Sequence, residues 1–284
     1  MELYLHNKNK YLLLKQQYNK QIGGNDDDKS QNEPVKHPAY VKISILVDII
    51  PDEPVTLGSL NNYHVNDLFP NTDNKDNLLI NKIGLYSMTK PPEAEIIYKI
   101  IRKYIYPKNA ILLDATSGVG GHIINLAPKF KKIIGYEINK MQFDILDHNV
   151  KVYDFNNVEL YMDDYTKNIN KYKANIVIID PPWGGIEYKQ KENLNLKLGE
   201  YSMDELVNNI DADLIILKLP MNHCVDIFPK QMKKYRICNY LIVVIPSSKL
   251  NKNPAIARYK AIKYEHKIKK LIRKITRTTD SCDN

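Results

Sequence analysis

An aspartate, two prolines, the chain's one tryptophan and two glycines stand in a row as Asp180-Pro181-Pro182-Trp183-Gly184-Gly185, directly after the apolar run Ile176–Ile179. The prolines fix an extended, rigid turn and remove the N–H groups that would otherwise compete for nearby carbonyls. Exocyclic amino groups of nucleic-acid bases are hydrogen-bond donors. Asp180 and the Pro181 carbonyl supply acceptors for such an amine, and Trp183 supplies a plane on which the base can stack. A lone tryptophan also serves as a core aromatic, but a Pro-Pro-Trp-Gly-Gly turn at a strand's carboxyl end favours an exposed ring. The chemistry such a site performs is placement, with the nitrogen lone pair aimed at an electrophilic carbon.

A second cluster is suited to carry that carbon. Asp114-Ala115-Thr116-Ser117-Gly118-Val119-Gly120-Gly121 follows the apolar Ile111-Leu112-Leu113, so glycines mark the passage from a strand into a helix. Glycines there let a ligand approach the backbone, and a helix start offers unpaired N–H groups. Alone the loop suits several nucleotides. Asp114 ends the first strand, Glu137 ends the second, and Asp164, with Asp163 as a rival, follows the third. An acid at the second position accepts from ribose hydroxyls, one at the third can accept from an adenine amino group, and Asp114 can accept from a methionyl ammonium. No phosphate-cradling lysine follows the glycines, which disfavours a P-loop hydrolase. S-adenosylmethionine is the cofactor these residues predict, with NAD the alternative.

Positioning these residues requires a regular scaffold. Thr89, Pro91-Pro92 and Glu93 predict a helix start, and Ala94, Ile97, Ile101, Tyr104 and Ile105 a face running to about Tyr106, where Pro107 stops it. Strands are predicted at 111–113, 132–137, 158–162, 176–179, 214–217 and 240–245, the last closing the sheet, with helices over 123–127 and 141–150. Short apolar strands alternating with helices mean an α/β fold with a mostly parallel, doubly wound sheet covered on both faces.

The flanks differ in kind. Residues 1–35 read as a flexible arm with a short helix from Leu3 to Gln21, and 36–81 as an accessory lobe with a strand over 39–51 and loops beyond it. Residues 82–248 form the main domain. Residues 249–284 are a basic tail in which Lys249, Lys252, Arg258, Lys260 and their successors meet only Glu265 before Asp280. The net charge of +8 favours a polyanionic partner. Phosphate contact by the tail would show as salt-dependent binding; the alternative is a solvated helix face. Cys224, Cys238 and Cys282 have neither metal-binding spacing nor an even count, so no metal site is predicted and a reducing, intracellular setting is expected. No apolar run approaches the roughly 20 residues that span a bilayer, so no membrane role is expected.

From Tyr86 to Val244 the chain resembles the trimethylguanosine synthases, the RNA cap guanine-N2 methyltransferases. The resemblance rests on Tyr86-Ser87-Met88-Thr89, on the loop from Asp114 to Gly121, on Val158-Glu159-Leu160 leading to Asp164, and on Asp180-Pro181-Pro182-Trp183-Gly184-Gly185 with Tyr188. It implies a class I (Rossmann-like) methyltransferase fold. It further implies that Trp183 stacks on 7-methylguanine, that Asp180 and Pro181 hold the N2 amine, and that Tyr188 and Asn222 border the cap. Tyr86 and Thr89 would close over S-adenosylmethionine, held by Asp114, Gly118, Gly120, Glu137 and Asp164, and the partner would be a 7-methylguanosine-capped RNA. Two positions depart from the pattern: Ile186 stands where the family has proline, and Pro220-Met221-Asn222 where it has Pro-Arg-Asn. Lys218 and the basic tail are the nearest substitutes for that arginine's grip on the cap phosphates. The detached arms and AT-rich codon usage suit a large DNA virus.

Three other readings fit part of the pattern. An adenine-N6 or cytosine-N4 methyltransferase also uses Asp-Pro-Pro followed by an aromatic. A guanine-N2 enzyme of structural RNA needs no cationic base. An inactive fold could bind capped RNA without chemistry, against which stand Asp114, Glu137 and Asp180.

Overall fold

The computed structural model describes residues 50–60, 67–237, 240–248 and 250, with the side chains of 186 and 187 excepted. The arm helix, most of the strand expected over 39–51 and the tail beyond Leu250 lie outside these residues; Ile50 itself sits in a bend.

A seven-stranded sheet organises the chain. Its strands are β3 (Ile111–Asp114), β4 (Lys132–Tyr136), β5 (Val158–Tyr161), β6 (Ile176–Ile179), β9 (Leu214–Pro220), β10 (Lys233–Ile237) and β11 (Tyr240–Pro246). They lie in the order β10-β11-β9-β6-β3-β4-β5. The pairs β3–β4, β4–β5, β3–β6 and β6–β9 are parallel, as the alternation of strands and helices predicts. Period-two alternation sends Leu112, Ile133, Ile176, Ile178, Leu214 and Ile216 to one face. There they pack on α2 (Pro91–Ile101), α3 (Gly121–Leu126) and α4 (Lys140–Val152). Leu113, Ile134, Val177, Ile179, Ile215 and Leu217 face the other way, onto α5 (Met203–Asn209).

Two expectations are corrected. The strand from Tyr240 does not close the sheet: it lies inside it, antiparallel to β9 from Tyr240–Pro220 to Pro246–Leu214, and β10 forms the edge beyond. In β10 only Tyr235 and Ile237 are buried, while Lys233, Lys234 and Arg236 are exposed, so its apolar signal is weak. Helix α2 ends at Ile101 rather than near Tyr106. The N–H groups of Lys103 and Tyr104 turn back onto Ile100 and Ile101, and the Lys103 side chain turns inward to donate to the Tyr235 hydroxyl at 2.8 Å.

Ahead of the sheet, β1 (Val55–Thr56) pairs with β2 (Leu79–Ile80), and α1 (Lys82–Ser87) starts at Asn81, whose side chain accepts from Gly84 N. Leu78, Ile80, Leu85 and Met88 form an apolar cluster with Val119, Ile124 and Ile145 of the sheet-covering layer. The Asn149 amide bonds both N–H and C=O of Leu79, at 2.7 and 2.9 Å, and so seats β2 on α4. A pair of short hairpin strands, β7 (Lys197–Leu198) and β8 (Tyr201–Ser202), precedes α5.

The chain runs outward from β3 through β4 to β5, then returns to β6 and β9 on the other side. The reversal lies between β3 and β6, and open α/β sheets bind their ligands outside the strands' carboxyl ends at such a point. Asp114 and Asp180 stand there, one ending β3 and the other following β6.

Candidate active site

On the β3–β5 side, each predicted carboxylate is fixed by the chain immediately after it. Asp114 is fully buried and its Oδ1 accepts from Thr116 N at 3.1 Å. Glu137 Oε2 accepts from Gly118 N at 2.7 Å and Oε1 from Asn139 N at 2.8 Å. Burial raises the Glu137 pKa, with the backbone N–H groups of Asn139, Gly118 and Ile138 working against it. Asp164 Oδ1 accepts from the Thr166 N–H and hydroxyl, leaving Oδ2. Its rival Asp163 has both oxygens engaged, by Asp164 N and the Asn168 amide. Gly121 is demanded by close approach, since a Cβ there would lie 2.5 Å from Thr89 N.

On the β6–β9 side, Trp183 is half-buried, its ring meeting Tyr188 edge-on at 5.1 Å and packing on both faces' cores. Its Nε1 is buried and, among the described residues, has no hydrogen-bond partner. That N–H costs about 1–3 kcal/mol, so the ring is placed for its face and not for its donor. Gly184 and Gly185 have φ of +87° and +77°, which explains the glycine pair after Trp183. The Asn222 amide donates to the carbonyls of Tyr188 and Lys191 at 2.7 and 2.6 Å, so it holds the Tyr188 segment, a short helix over Gly185–Gln190.

A closed circuit of hydrogen bonds joins the two sides. Lys218 Nζ donates to Asp180 Oδ2 at 2.8 Å and to Thr89 Oγ1 at 3.3 Å. Thr89 Oγ1 lies 2.9 Å from His122 Nε2, and His122 Nδ1 lies 3.3 Å from Asp114 Oδ2. Lys218 donates to Thr89, and the two ring nitrogens of His122 bridge Thr89 to Asp114 in roles set by its tautomer. Asp180 N donates to Thr116 Oγ1 at 2.8 Å and completes the ring. Burial raises the Asp180 pKa, with Lys218 and His122 opposing. Burial disfavours the Lys218 ammonium, but Asp180 and Glu93 more than offset this and its pKa is raised.

Thr89 is 2% exposed with its hydroxyl inside the circuit, while Tyr86 on α1 is 58% exposed. Lys218 is buried in an ion pair with Asp180.

The sequence pattern of the RNA cap guanine-N2 methyltransferases matches residues 109–277, more than half of the chain. The chain belongs to this family. The match begins downstream of Tyr86 and Thr89 and runs past Val244, where the resemblance read from the sequence ends. Among relatives, an uncharacterised protein of Acanthamoeba polyphaga mimivirus is 36% identical over 137 residues, which is 46% of this chain and 54% of that protein. The trimethylguanosine synthase of Schizosaccharomyces pombe is 30% identical over 129 residues, 43% of this chain and 53% of that enzyme. The chain thus spans about half the length of the curated relatives it matches. A T. thermophilus 16S rRNA N2 methyltransferase, solved with AdoMet and guanosine, superposes with a TM-score of 0.44 at 10% identity over 54% of this chain and 42% of that one.

The methyl donor of an enzyme in this family is S-adenosylmethionine, and the β3–β5 side fits it. A Cβ built on Gly118 would meet nothing within 4 Å, so the loop faces open space. Glu137 borders it through Gly118 N, and Asp164, after the end of β5, keeps Oδ2 unengaged among the described residues. The exposed apolar Ile138 (69%) and Met162 (50%) follow β4 and β5 and were missed by sequence reasoning. His122 was missed as well, and Lys218 was named only for the cap phosphates and not as the partner of Asp180. Lys218 carried a signal: a charge inside the wholly buried Leu214–Pro220 strand must find an opposite charge, and Asp180 follows the neighbouring strand.

Proposed function

We propose that this chain transfers a methyl group from S-adenosylmethionine to the exocyclic N2 of 7-methylguanosine in an RNA 5′ cap, giving a hypermethylated cap. The observation that carries the reading is the pairing at the β3/β6 reversal of an acceptor, Asp180, with a stacking plane, Trp183. Asp180 Oδ2 is held by Lys218, which leaves Oδ1 for the amine. In this reading Glu137 binds the ribose, Asp164 Oδ2 the adenine amine, Ile138 and Met162 the adenine faces, and Asp114 with Gly118 and Gly120 the methionyl end. Tyr86 borders the donor from α1, and Thr89 holds the two sides in register. Tyr188 and Asn222 shape the cap pocket, Asn222 through the segment it holds.

The N2 lone pair forms the new N–C bond as the donor's C–S bond breaks and its electron pair stays on sulfur. The proton shed by N2 passes to Asp180 Oδ1 and then to solvent. Placement supplies most of the acceleration, since reacting groups held in line avoid the entropy of encounter. Trp183 supports a cationic base because an indole face attracts positive charge.

One observation favours a second reading, a neutral guanine in structural RNA. Lys218 Nζ already lies 5.8 Å from the Trp183 ring centroid, so the indole has a cation of its own. The test is methyl transfer from labelled donor to 7-methyl-GDP, GDP and an adenine-containing oligonucleotide. Label in 7-methyl-GDP alone supports the cap reading. Label in GDP as well would move the substrate to neutral guanine, and label in the oligonucleotide alone would move it to base amines of another kind.

A further inference from the structure

We infer that Lys218 is a positioning residue for methyl transfer: it keeps Asp180 ionised, turns its Oδ1 toward the acceptor amine, and ties the acceptor turn to the donor loop through Thr89. The inference rests on the methyltransferase reading above and adds to it a residue that acts on the substrate only through Asp180.

The geometry has three parts. First, both side chains of the pair are almost enclosed, Lys218 at 9% and Asp180 at 15% exposure, with their charges 2.8 Å apart. An enclosed carboxylate without that ammonium would take up a proton, because burial penalises its charged form. A protonated Asp180 would accept from the amine only weakly and could not receive its proton. Second, Lys218 is held on its other side by the Thr89 hydroxyl, and Thr89 backbone atoms press on Gly121 at the end of the donor loop. Displacing Lys218 therefore disturbs both halves. Third, the ammonium lies 5.8 Å from the Trp183 ring centroid and 5.3 Å from that of Tyr240, so the charge sits beside the stacking plane.

The charged and titratable groups around the pair come from several elements. His122 on α3 and Asp114 at the end of β3 face Asp180, the first lowering and the second raising its pKa. Glu93 near the start of α2 acts on Lys218, and the Lys90 ammonium before that helix has its pKa lowered by burial and by Lys218. The Lys218 charge also reaches Tyr188. Among the described residues, Lys218 is the charged side chain hydrogen-bonded to Asp180, so its removal dominates the others.

The test uses the full chain and its only tryptophan, Trp183, as an internal probe. Fluorescence is followed from acid to mildly alkaline pH in the wild type, Lys218→Met, Lys218→Arg and Asp180→Asn. The pH–rate profile for 7-methyl-GDP is recorded at saturating donor. Loss of an adjacent opposite charge raises a carboxyl pKa by about one to three units. Lys218→Met is expected to move the acid midpoint of fluorescence, and the acid limb of the rate, upward by about that much. Activity is lost as pH falls through the Asp180 pKa, so the variant fails at a higher pH than the wild type and recovers toward alkaline pH. Lys218→Arg keeps the midpoint, and Asp180→Asn removes the transition. A folded Lys218→Met protein whose midpoint and acid limb both superpose on the wild type overturns the inference.

If Lys218→Met does not fold, Lys218→Met with Asp180→Asn decides. Removing one partner of a buried pair leaves an uncompensated charge, whereas removing both does not. Recovery of folding in the double variant supports the pairing, and failure of the double variant when Asp180→Asn folds alone overturns it. Fluorescence needs no substrate, so absence of label in every acceptor would sink the cap reading without touching this result.

Discussion

The two halves of the site are built in different ways. On the side proposed to hold the donor, Asp114, Glu137 and Asp164 are each fixed by a backbone N–H two residues further on, and Glu137 also by Gly118 N, 19 residues back. On the acceptor side the binding contacts are remote: Asp180 meets Lys218 across 38 residues, Asn222 reaches Tyr188 across 34, and Lys218 meets Thr89 across 129. A half held by its own turns keeps its shape in almost any chain of this fold. A half held by partners far away in sequence can change partners, and its specificity can change with them. The donor side is therefore the generic half and the acceptor side the particular one.

The sharpest test of this division is Trp183→Ala. Stacking of a base on an aromatic ring contributes about 1–3 kcal/mol. At its upper end that is on the order of a hundredfold in kcat/KM for the acceptor. Donor affinity, measured by calorimetry on the same protein, is expected to stay within about threefold. A comparable loss on both sides would break the division.

Glu137→Gln tests the opposite half. Hydrogen bonds to a charged group contribute about 1.5–3 kcal/mol, so donor affinity should fall roughly ten- to hundredfold while the free protein's Trp183 fluorescence is unchanged. A pH dependence goes with it. Burial raises the Glu137 pKa, and only the ionised form accepts from both hydroxyls. Donor affinity in the wild type should thus weaken as pH falls, beginning above the ordinary glutamate range, and the Gln variant should show no such step. Equal steps in both proteins would assign the titration to another group.

What could be read from the sequence follows the same division. The parallel strands were legible because each is a short, continuous apolar run such as Ile176–Ile179, and the positions of Asp114, Glu137 and Asp164 because strand ends are countable. β10 was not, since exposed Lys233, Lys234 and Arg236 mask an edge strand that buries only Tyr235 and Ile237. The antiparallel placing of β11 depends on that hidden neighbour. In the site, Asp180 and Trp183 declared themselves by the turn they share, but Lys218 and His122 act through partners that only the fold brings near. Asn222 is named from the sequence, yet the engagement of its amide with Tyr188 and Lys191 needed coordinates.

Gly121→Ala tests a place where the donor half depends on a remote contact. The added methyl would lie 2.5 Å from Thr89 N and 2.8 Å from Thr89 O, backbone atoms that cannot turn aside. Overpacking of this kind costs about 1–3 kcal/mol. The variant should lower the unfolding midpoint and impair donor and acceptor binding together, because Thr89 belongs to the circuit that joins them. A stability loss with both affinities intact would show that the circuit tolerates displacement at Thr89.

The smallest effect is expected from Asn222→Ala, and it bears most directly on how the acceptor half is held. The variant removes two neutral hydrogen bonds from a loop, each with a net contribution of about 1 kcal/mol, and water can replace part of what is lost at an exposed carbonyl. The sheet, the ion pair and the donor turn are untouched, so global stability should change little. Tyr188 is different, for its carbonyl is one of the two groups held and its ring meets Trp183 edge-on at 5.1 Å. Loosening that ring should raise KM for the acceptor roughly three- to tenfold, at about 1 kcal/mol of lost order, with kcat and donor affinity nearly constant. If kcat falls instead, the Tyr188 segment helps to align the amine and not only to bind the base, and alignment on the acceptor side would then extend past the Asp180 turn into the helix that follows it.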